Sequence, residues 1–308
     1  MLTIYHSTAR SRELSVIDRA KAGSWISLVA PKEDELEQFS LEYNLDVDLL
    51  RDAMDMYEAP RIETDEGKVY IYTRYSLPEG KEVATEPLLI VYTPDYVISV
   101  MRKESPLLNR LISGSQDTVT TQKTKTLMQI LTEVSRSYEQ RLRSISKQTL
   151  QIRAQMRRSE LTSRDFVSII EIEEDLNEYV TALLPQEGVL SALVSGKYIR
   201  LYEDDKDIVE DLGLGAVELI EMARSRAQAL ANIRQAYDTI ATTNLNQTFK
   251  RLTSIAIFFS IPTIIGGLWG MNVAVPNSDD PRAFWMVLGI IAVLMTSAIY
   301  VFHRKRWL

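Results

Sequence analysis

Two stretches near the end of the chain decide the fold: LTSIAIFFSIPTIIGGLWG at residues 252–270 and FWMVLGIIAVLMTSAIYVF at residues 284–302. Neither contains a charged residue, and each is close to the roughly twenty apolar residues that a helix needs to cross a bilayer. Because the connection at 271–283 is short, the two helices are predicted to be antiparallel neighbours. The sequence therefore predicts a membrane hairpin at the end of the chain.

Basic residues flank this hairpin on its outer sides. Lys250 and Arg251 precede the first stretch, and a basic tail at 304–306 follows the second. The connection instead holds Asp279 and Asp280, which we expect to attract cations. Basic residues next to a span tend to stay on the cytoplasmic side, so both termini are predicted to be cytoplasmic and the protein to lie in the cell membrane. The beginning of the chain agrees, because it lacks the basic and apolar regions of a signal peptide.

The remaining composition excludes several classes of protein. Residues 1–250 carry 30 basic and 40 acidic residues, which argues against nucleic acid as a partner. This acidity suits a protein that meets cations, although on charge alone a simple solvated surface is the favoured explanation. The chain has no cysteine, and His6 and His303 lie at opposite ends, so neither a thiolate nor a histidine metal site is expected. No Walker A motif and no nucleophile–base pair is present, so we expect neither an enzyme nor an organic cofactor.

The first 120 residues have the pattern of a mixed α/β domain. Short apolar or alternating runs predict strands at Leu2–His6, Trp25–Ala30, Lys68–Leu77, Leu88–Thr93 and Tyr96–Met101. Two charged stretches between them, Pro31–Tyr43 and Asp46–Met56, are predicted to be helices.

From residue 121 onwards the apolar residues follow helical spacing. Helices are predicted at 121–158 and 162–184, with a turn at Ser159–Ser163 capped by Thr162 or Ser163, and a break at Pro185–Gly188. The segment from about Asp204 to Asn272 has no proline before Pro262. If it were helical throughout, it would extend for roughly 100 Å, farther than any single domain.

The first apolar stretch is not uniformly bulky, because its small and polar residues fall on one stripe. The stripe consists of Asn246, Phe249, Leu252, Ala256, Ser260, Thr263, Gly267 and Asn272. Spacings of three to five residues place them close to one helix face. Periodicity alone favours close helix packing and pore lining equally. Two helices cannot enclose a water-filled path, so a pore would need a ring of identical chains.

Three motifs carry a resemblance to a known family. The first apolar stretch ends in Gly270-Met271-Asn272, and the chain ends in Lys305-Arg306-Trp307-Leu308. Upstream, Glu58-Ala59-Pro60-Arg61-Ile62-Glu63 is followed by the aromatic segment 69–75. At these positions, and with two C-terminal spans, the motifs resemble those of the CorA family of divalent-cation transporters.

This resemblance implies a fold and a site. It implies a homopentamer with a funnel-shaped cytoplasmic α+β domain (a mixed sheet flanked by helices), a long stalk helix and the membrane hairpin. Gly270, Met271 and Asn272 would form the selectivity filter at the outer mouth, and the stripe from Asn246 to Gly267 would line the pore. Some relatives have methionine in place of Phe249 and Ser260, so the narrow apolar segment is expected near Phe249 and Leu252. The implied divisions are 1–120 (α/β domain), 121–203 (helical hairpin), 204–251 (stalk), 252–272 (first span), 273–283 (external loop), 284–303 (second span) and 304–308 (tail).

The resemblance also implies that Mg²⁺ is both substrate and regulator. The acidic residues Asp204, Asp205, Asp207, Glu210 and Asp211 are the candidate regulatory ligands. Asp211 is the first choice, because counting back from the Gly-Met-Asn motif without gaps places it at the family's sensing position. The leading hypothesis is a channel for hydrated Mg²⁺, with Co²⁺ and Ni²⁺ as further candidates. The alternatives are a zinc transporter of the same family and a membrane-anchored sensor or scaffold that conducts nothing.

Overall fold

The computed structural model describes residues 1–11, 13–78, 80, 83–113, 118–158, 162–271 and 280–305. Within it the chain forms two compact units, Met1–Ile233 and Arg234–Leu308. We call them the sheet unit and the two-helix unit. The long helix α6, Glu203–Trp269, contributes residues to both units.

The sheet unit is built on seven strands. They are β1 (Leu2–His6), β2 (Ser15–Val16), β3 (Trp25–Val29), β4 (Arg61–Asp65), β5 (Lys68–Ser76), β6 (Thr85–Tyr92) and β7 (Val97–Met101). Their spatial order is β2-β1-β3-β7-β6-β5-β4, and only the β3–β7 pair is parallel. The predicted mixed sheet is therefore confirmed. The two strands that the pattern did not predict are the edge strands β2, which has only two residues, and β4, in which Arg61, Glu63 and Asp65 interrupt the apolar pattern.

Both faces of the sheet are covered, which explains why its central strands are almost continuously apolar. All nine residues of β5 are buried, and successive residues point to opposite sides. Tyr70 and Tyr72 join the cluster around helices α1 (Glu33–Tyr43) and α2 (Val47–Asp52). Ile71 and Tyr75 join the larger cluster around helices α4 (Lys123–Arg157), α5 (Ser163–Val194) and α6.

Two long helices cover this second face, α4 (Lys123–Arg157) and α5 (Ser163–Val194). Before them, a 3₁₀ turn at Pro106–Leu108 leads into the short helix α3 (Asn109–Ile112). α4 and α5 run antiparallel, since the rings of Tyr138 and Tyr179 meet edge to face at 5.5 Å and Arg141 binds Asp175 at 3.0 Å. Thr162, one of the two predicted caps, caps α5 through a capping box with Asp165.

The predicted break at Pro185–Gly188 is wrong, because α5 continues through Pro185 to Val194. A proline inside a helix removes one backbone hydrogen bond. Here the residues beyond it, among them Val189, Leu190 and Leu193, are buried in the main cluster. Burial of each such side chain contributes about 1.5–3 kcal/mol, which together outweighs the loss of one hydrogen bond.

The two-helix unit contains the end of α6 and helix α7 (Ala283–Arg304). Both helices are long and apolar enough to cross a membrane. In each, only 6% of the most apolar 18-residue stretch is buried. Core helices of a soluble protein would be mostly buried, so these two are suited to a lipid environment. The predicted long helix and C-terminal apolar helix are both present.

Candidate ion pathway and regulatory site

Each helix of the two-helix unit has one shielded face. On α7 the shielded positions are Ala283, Val287, Ile291, Met295, Ala298 and Phe302. On the end of α6 they include Ser254, Phe258, Ile261, Ile265 and Trp269. Both sets recur every three or four residues, which is the repeat of one helix face. Since the two helices belong to one compact unit, we infer that these are the faces that they turn towards each other.

The predicted stripe lies on the other side of α6. Ala256 stands about 200° around the helix from the shielded Ser254, and Thr263 about 200° from the shielded Ile261. The exposed members of the stripe are Asn246, Phe249, Leu252, Ala256, Thr263 and Gly267, and Ser260 is half-buried. The small and polar edge of α6 is therefore not covered by α7 of the same chain.

The hydroxyl groups on this edge are already satisfied as donors. Ser260 Oγ donates to the carbonyl of Ile257 at 2.8 Å, and Thr263 Oγ1 donates to that of Phe259 at 2.9 Å. A hydroxyl that donates once still has lone pairs that can accept. These oxygens can therefore accept hydrogen bonds from water molecules, including those around a hydrated cation.

The glycines near the end of α6 are not explained by packing within the chain. A Cβ atom added to Gly266 or Gly267 would meet nothing within 4 Å. An interior helix glycine costs about 1 kcal/mol relative to alanine. The chain itself therefore leaves room for a side chain at both positions.

The predicted filter is only partly described. The amide of Gly270 donates to the carbonyl of Gly266 at 2.9 Å, and Met271 is exposed just after the helix. Asn272 and Asp279 lie outside the described residues, as do 273–278 and the tail at 306–308. Asp280 is exposed, and its Oδ1 accepts from the amide of Arg282 at 2.8 Å at the start of α7. Its proposed attraction of cations stays a prediction.

The candidate regulatory residues do not share one environment. Asp204, Asp207 and Asp211 are exposed at the start of α6, and Glu210 lies 3.8 Å from Lys206. Asp205 instead points inward and is only 8% exposed. Burial raises the pKa of the nearby Tyr92, and Tyr202 and Asp205 raise it further. Sequence reasoning grouped Asp205 with its neighbours, although its spacing of four from the fully buried Val209 could have indicated an inward position.

Within the ranges that the structure covers, no group of three or more potential metal-ligating side chains comes together in the single chain.

Comparison with known proteins identifies the family. The model of the family described as "CorA-like Mg2+ transporter protein" matches residues 20–304, which is most of the chain. The chain therefore belongs to the CorA-like family of membrane transport proteins, which is not a family of enzymes.

Individual relatives agree over nearly the full length. The cobalt/magnesium transport protein CorA of Methanocaldococcus jannaschii is 25% identical over 295 residues, covering 92% of this chain and 91% of that protein. The complete structure of the M. jannaschii CorA magnesium transporter has a TM-score of 0.86 at 22% identity, and covers 100% of this chain and 99% of that one. The full-length CmaX protein has a TM-score of 0.77 at 19% identity, covering 99% and 97%. At these identities the solved structures show a shared fold.

Proposed function

We propose that the chain is one subunit of a homopentameric channel that carries hydrated Mg²⁺ into the cytoplasm, with Co²⁺ and Ni²⁺ as further candidate ions. The observation that carries this proposal is the position of the small and polar edge of α6, opposite the face shielded towards α7. The relatives of this chain include cobalt/magnesium transport proteins, which supports the choice of ions.

A ring of copies follows from the two-helix unit. A single pair of helices cannot enclose an aqueous path, and closed symmetric rings are the usual way in which identical chains form one. Each copy would turn the edge from Asn246 to Gly267 towards the common axis. The bulky exposed residues on other faces, such as Phe259 and Trp285, would face lipid or a neighbouring copy.

The chemistry of the edge suits a cation that keeps its water. Mg²⁺ is small and gives up its hydration shell reluctantly. Neutral oxygens from Ser260, Thr263 and Asn272 can hydrogen-bond to the shell, and binding that weak is reversible, as conduction requires. The edge carries no carboxylate, whose charge would be costly in the membrane and would hold a divalent ion too tightly.

The membrane potential supplies the energy for uptake. A divalent cation that enters a cell with a potential of about 100 mV, negative inside, gains roughly 4.6 kcal/mol. This corresponds to about three orders of magnitude in concentration. The proposed channel therefore needs no energy-coupling site.

We further propose that cytoplasmic Mg²⁺ closes the channel by binding between subunits near the start of α6. The exposed carboxylates of Asp204, Asp207 and Asp211 on adjacent copies would repel one another until a cation bridges them. When internal Mg²⁺ falls, the bridge is lost and the ring opens. Asp205 points inward, so we propose that it acts beside this site and not as a direct ligand of the bridging cation.

Ion flux into liposomes tests the function directly. The protein is reconstituted, and Mg²⁺ uptake is compared between the natural chain and Asn272→Ala. We expect a loss of at least about tenfold, because a hydrogen bond to a charged partner contributes about 1.5–3 kcal/mol. Asn277→Ala, in the same connection but outside the motif, is the matched control and is expected to conduct normally.

The same assay separates the alternatives. Uptake of Zn²⁺ without uptake of Mg²⁺ would show that the protein is a zinc transporter. Uptake no higher than that of empty liposomes, together with no ring-shaped oligomer in detergent, would show a sensor that does not conduct.

A further inference from the structure

A cavity of about 370 Å³ lies in the sheet unit, away from α6. Three elements form its wall: the end of β5, the turn from β7 into α3, and the middle of α4. Its apolar lining includes Tyr75, Pro78, Pro106 and Leu107. Its volume is in the range of small-molecule sites, which run from about 300 to 1,000 Å³.

The described lining of the cavity has more basic than acidic residues, although residues 1–250 as a whole are acidic. Arg110, Arg136 and Arg141 line it, and among the described lining residues Glu133 alone is acidic. Over residues 1–250 as a whole, acidic residues outnumber basic ones by 40 to 30. Two of these guanidinium groups have carboxylate partners, Arg136 with Glu133 and Arg141 with Asp175, so the excess positive charge at the cavity is that of Arg110.

The α4 side of the wall is a single helix face. Glu133, Arg136, Ser137, Gln140, Arg141 and Ser144 line the cavity, at spacings of one helix face. Arg136 pairs with the buried Glu133, and Arg141 pairs with Asp175 of α5. In the part of the chain that the structure describes, the side chains of Gln140 and Ser144 make no hydrogen bond.

Arg110 adds a positive charge on the side of the cavity opposite α4. It is exposed at the rim, on α3, and its guanidinium group forms no ion pair or hydrogen bond with any residue that the structure describes. The floor of the cavity carries a neutral donor, since burial raises the pKa of Tyr75 to about 12, although a hydrogen bond with Ser105 partly offsets this.

From these features we infer that the cavity is a binding site for a small organic phosphate, one in which a phosphate group is joined to a planar or apolar body. Arginine forks match phosphate oxygens through paired, charge-assisted hydrogen bonds. The hydroxyl and amide groups of Ser144 and Gln140 supply further hydrogen bonds, and the proline and leucine side chains cover the body of the ligand. Every lining residue belongs to the sheet unit, so the site does not depend on ion conduction.

Calorimetric titration of the full-length protein in detergent tests this inference, with AMP as the probe. We expect saturable binding of AMP, weaker binding of inorganic phosphate and of citrate, and none of adenosine, which has the same body without the phosphate. Arg110→Gln is expected to weaken AMP binding at least about tenfold, because a charge-assisted bond is lost. Since Arg110 is exposed, this change should leave the fold intact.

Two further variants sharpen the test. Arg136→Lys keeps the charge beside Glu133 but removes the planar fork, and should weaken AMP binding by a smaller factor. Arg143→Gln, on the exposed surface of the same helix and paired only with Glu139 among the described residues, should leave AMP binding unchanged. The inference is overturned by an absence of saturable AMP binding, by adenosine or citrate binding as tightly as AMP, or by natural affinity in Arg110→Gln.

Discussion

The sheet unit and the two-helix unit differ in how far their apolar side chains are exposed. In the sheet unit the indole of Trp25 is fully buried, and β5 is buried over its whole length. In the two-helix unit Phe284, Trp285 and Val293 are 66%, 69% and 69% exposed. A side chain of this size gains about 1.5–3 kcal/mol from burial. The first unit therefore obtains this stabilisation within one chain, whereas the second would obtain it from a surrounding lipid environment.

Polar groups show the same contrast. Glu86, in the sheet unit, is completely buried and is bound by Arg102 at 2.6 Å and by Lys103 at 3.0 Å. On the small and polar edge of α6, the hydroxyl groups of Ser260 and Thr263 donate only to the backbone of their own helix. Glu86 is thus engaged in holding the fold, whereas the hydroxyl groups of the edge remain able to accept hydrogen bonds.

The largest expected effect concerns the edge of α6. Thr263→Phe places a ring on the proposed lining, where several copies would fill the path, so Mg²⁺ flux should fall to the level of empty liposomes. Leu268→Phe introduces the same ring five residues further on, about 140° around the helix from Thr263, at a position that is 57% exposed. It should conduct nearly normally. Equal flux in the two variants would mean that the edge does not line the path.

A smaller effect is expected for Glu86→Gln in the sheet unit. Burial raises the pKa of Glu86, but the hydrogen bonds and charges of Arg102 and Lys103 lower it more, so that the pKa falls below its ordinary value of 4.5. Loss of the charged bonds should reduce the free energy of local opening at neutral pH by about 1.5–3 kcal/mol. Hydrogen exchange of the amides in β6 and β7 measures this change.

The pH dependence of that effect has a definite sign. A carboxyl group with a lowered folded pKa stabilises the fold above its unfolded pKa, and this stabilisation disappears as the pH falls through the folded value. The difference between Glu86→Gln and the natural chain should therefore vanish in acid, below pH 4.5. Glu139→Gln, which breaks an exposed pair with Arg143, should cost under about 1 kcal/mol at any pH. A Glu86→Gln effect that persists in acid would rule out the charge as its cause.

The smallest effect is expected for Asp211→Asn at the proposed regulatory site. Loss of one exposed carboxylate per subunit removes about 0.5–1 kcal/mol of attraction for a bridging cation. The internal Mg²⁺ concentration that halves the flux should therefore rise about twofold to fivefold. Liposomes loaded with graded Mg²⁺ measure it, and Glu218→Gln, exposed on the same helix, is the control. An unchanged midpoint in Asp211→Asn would contradict this role.

Local patterns predicted most of the fold, because most of its elements are set by periodicity within a short window. The alternation of β5 and the helical spacing of α4 identified both elements. The elements that could not be predicted are those that tertiary contacts impose. Strand β4 exists because it pairs with β5 along its length, and α5 continues past Pro185 because the residues beyond it are buried.

Less of the candidate site followed from the sequence. Spacing alone placed the small and polar residues of α6 on one edge, but could not tell whether α7 covers that edge. The structure shows that it does not. Nothing in the local pattern indicated the cavity around Arg110 and Arg141, because its wall joins three elements that are distant in sequence. The role of Asn272 stays a prediction.

The ion pair between Arg141 and Asp175 would couple ligand binding in the cavity to the protonation of Asp175. Burial raises the pKa of Asp175, and Arg141 opposes that rise. A phosphate that draws Arg141 towards itself would remove this opposition, and the carboxyl group of Asp175 would then take up a proton more readily. Occupation of the cavity would thus be accompanied by proton uptake at Asp175 and favoured by acidification.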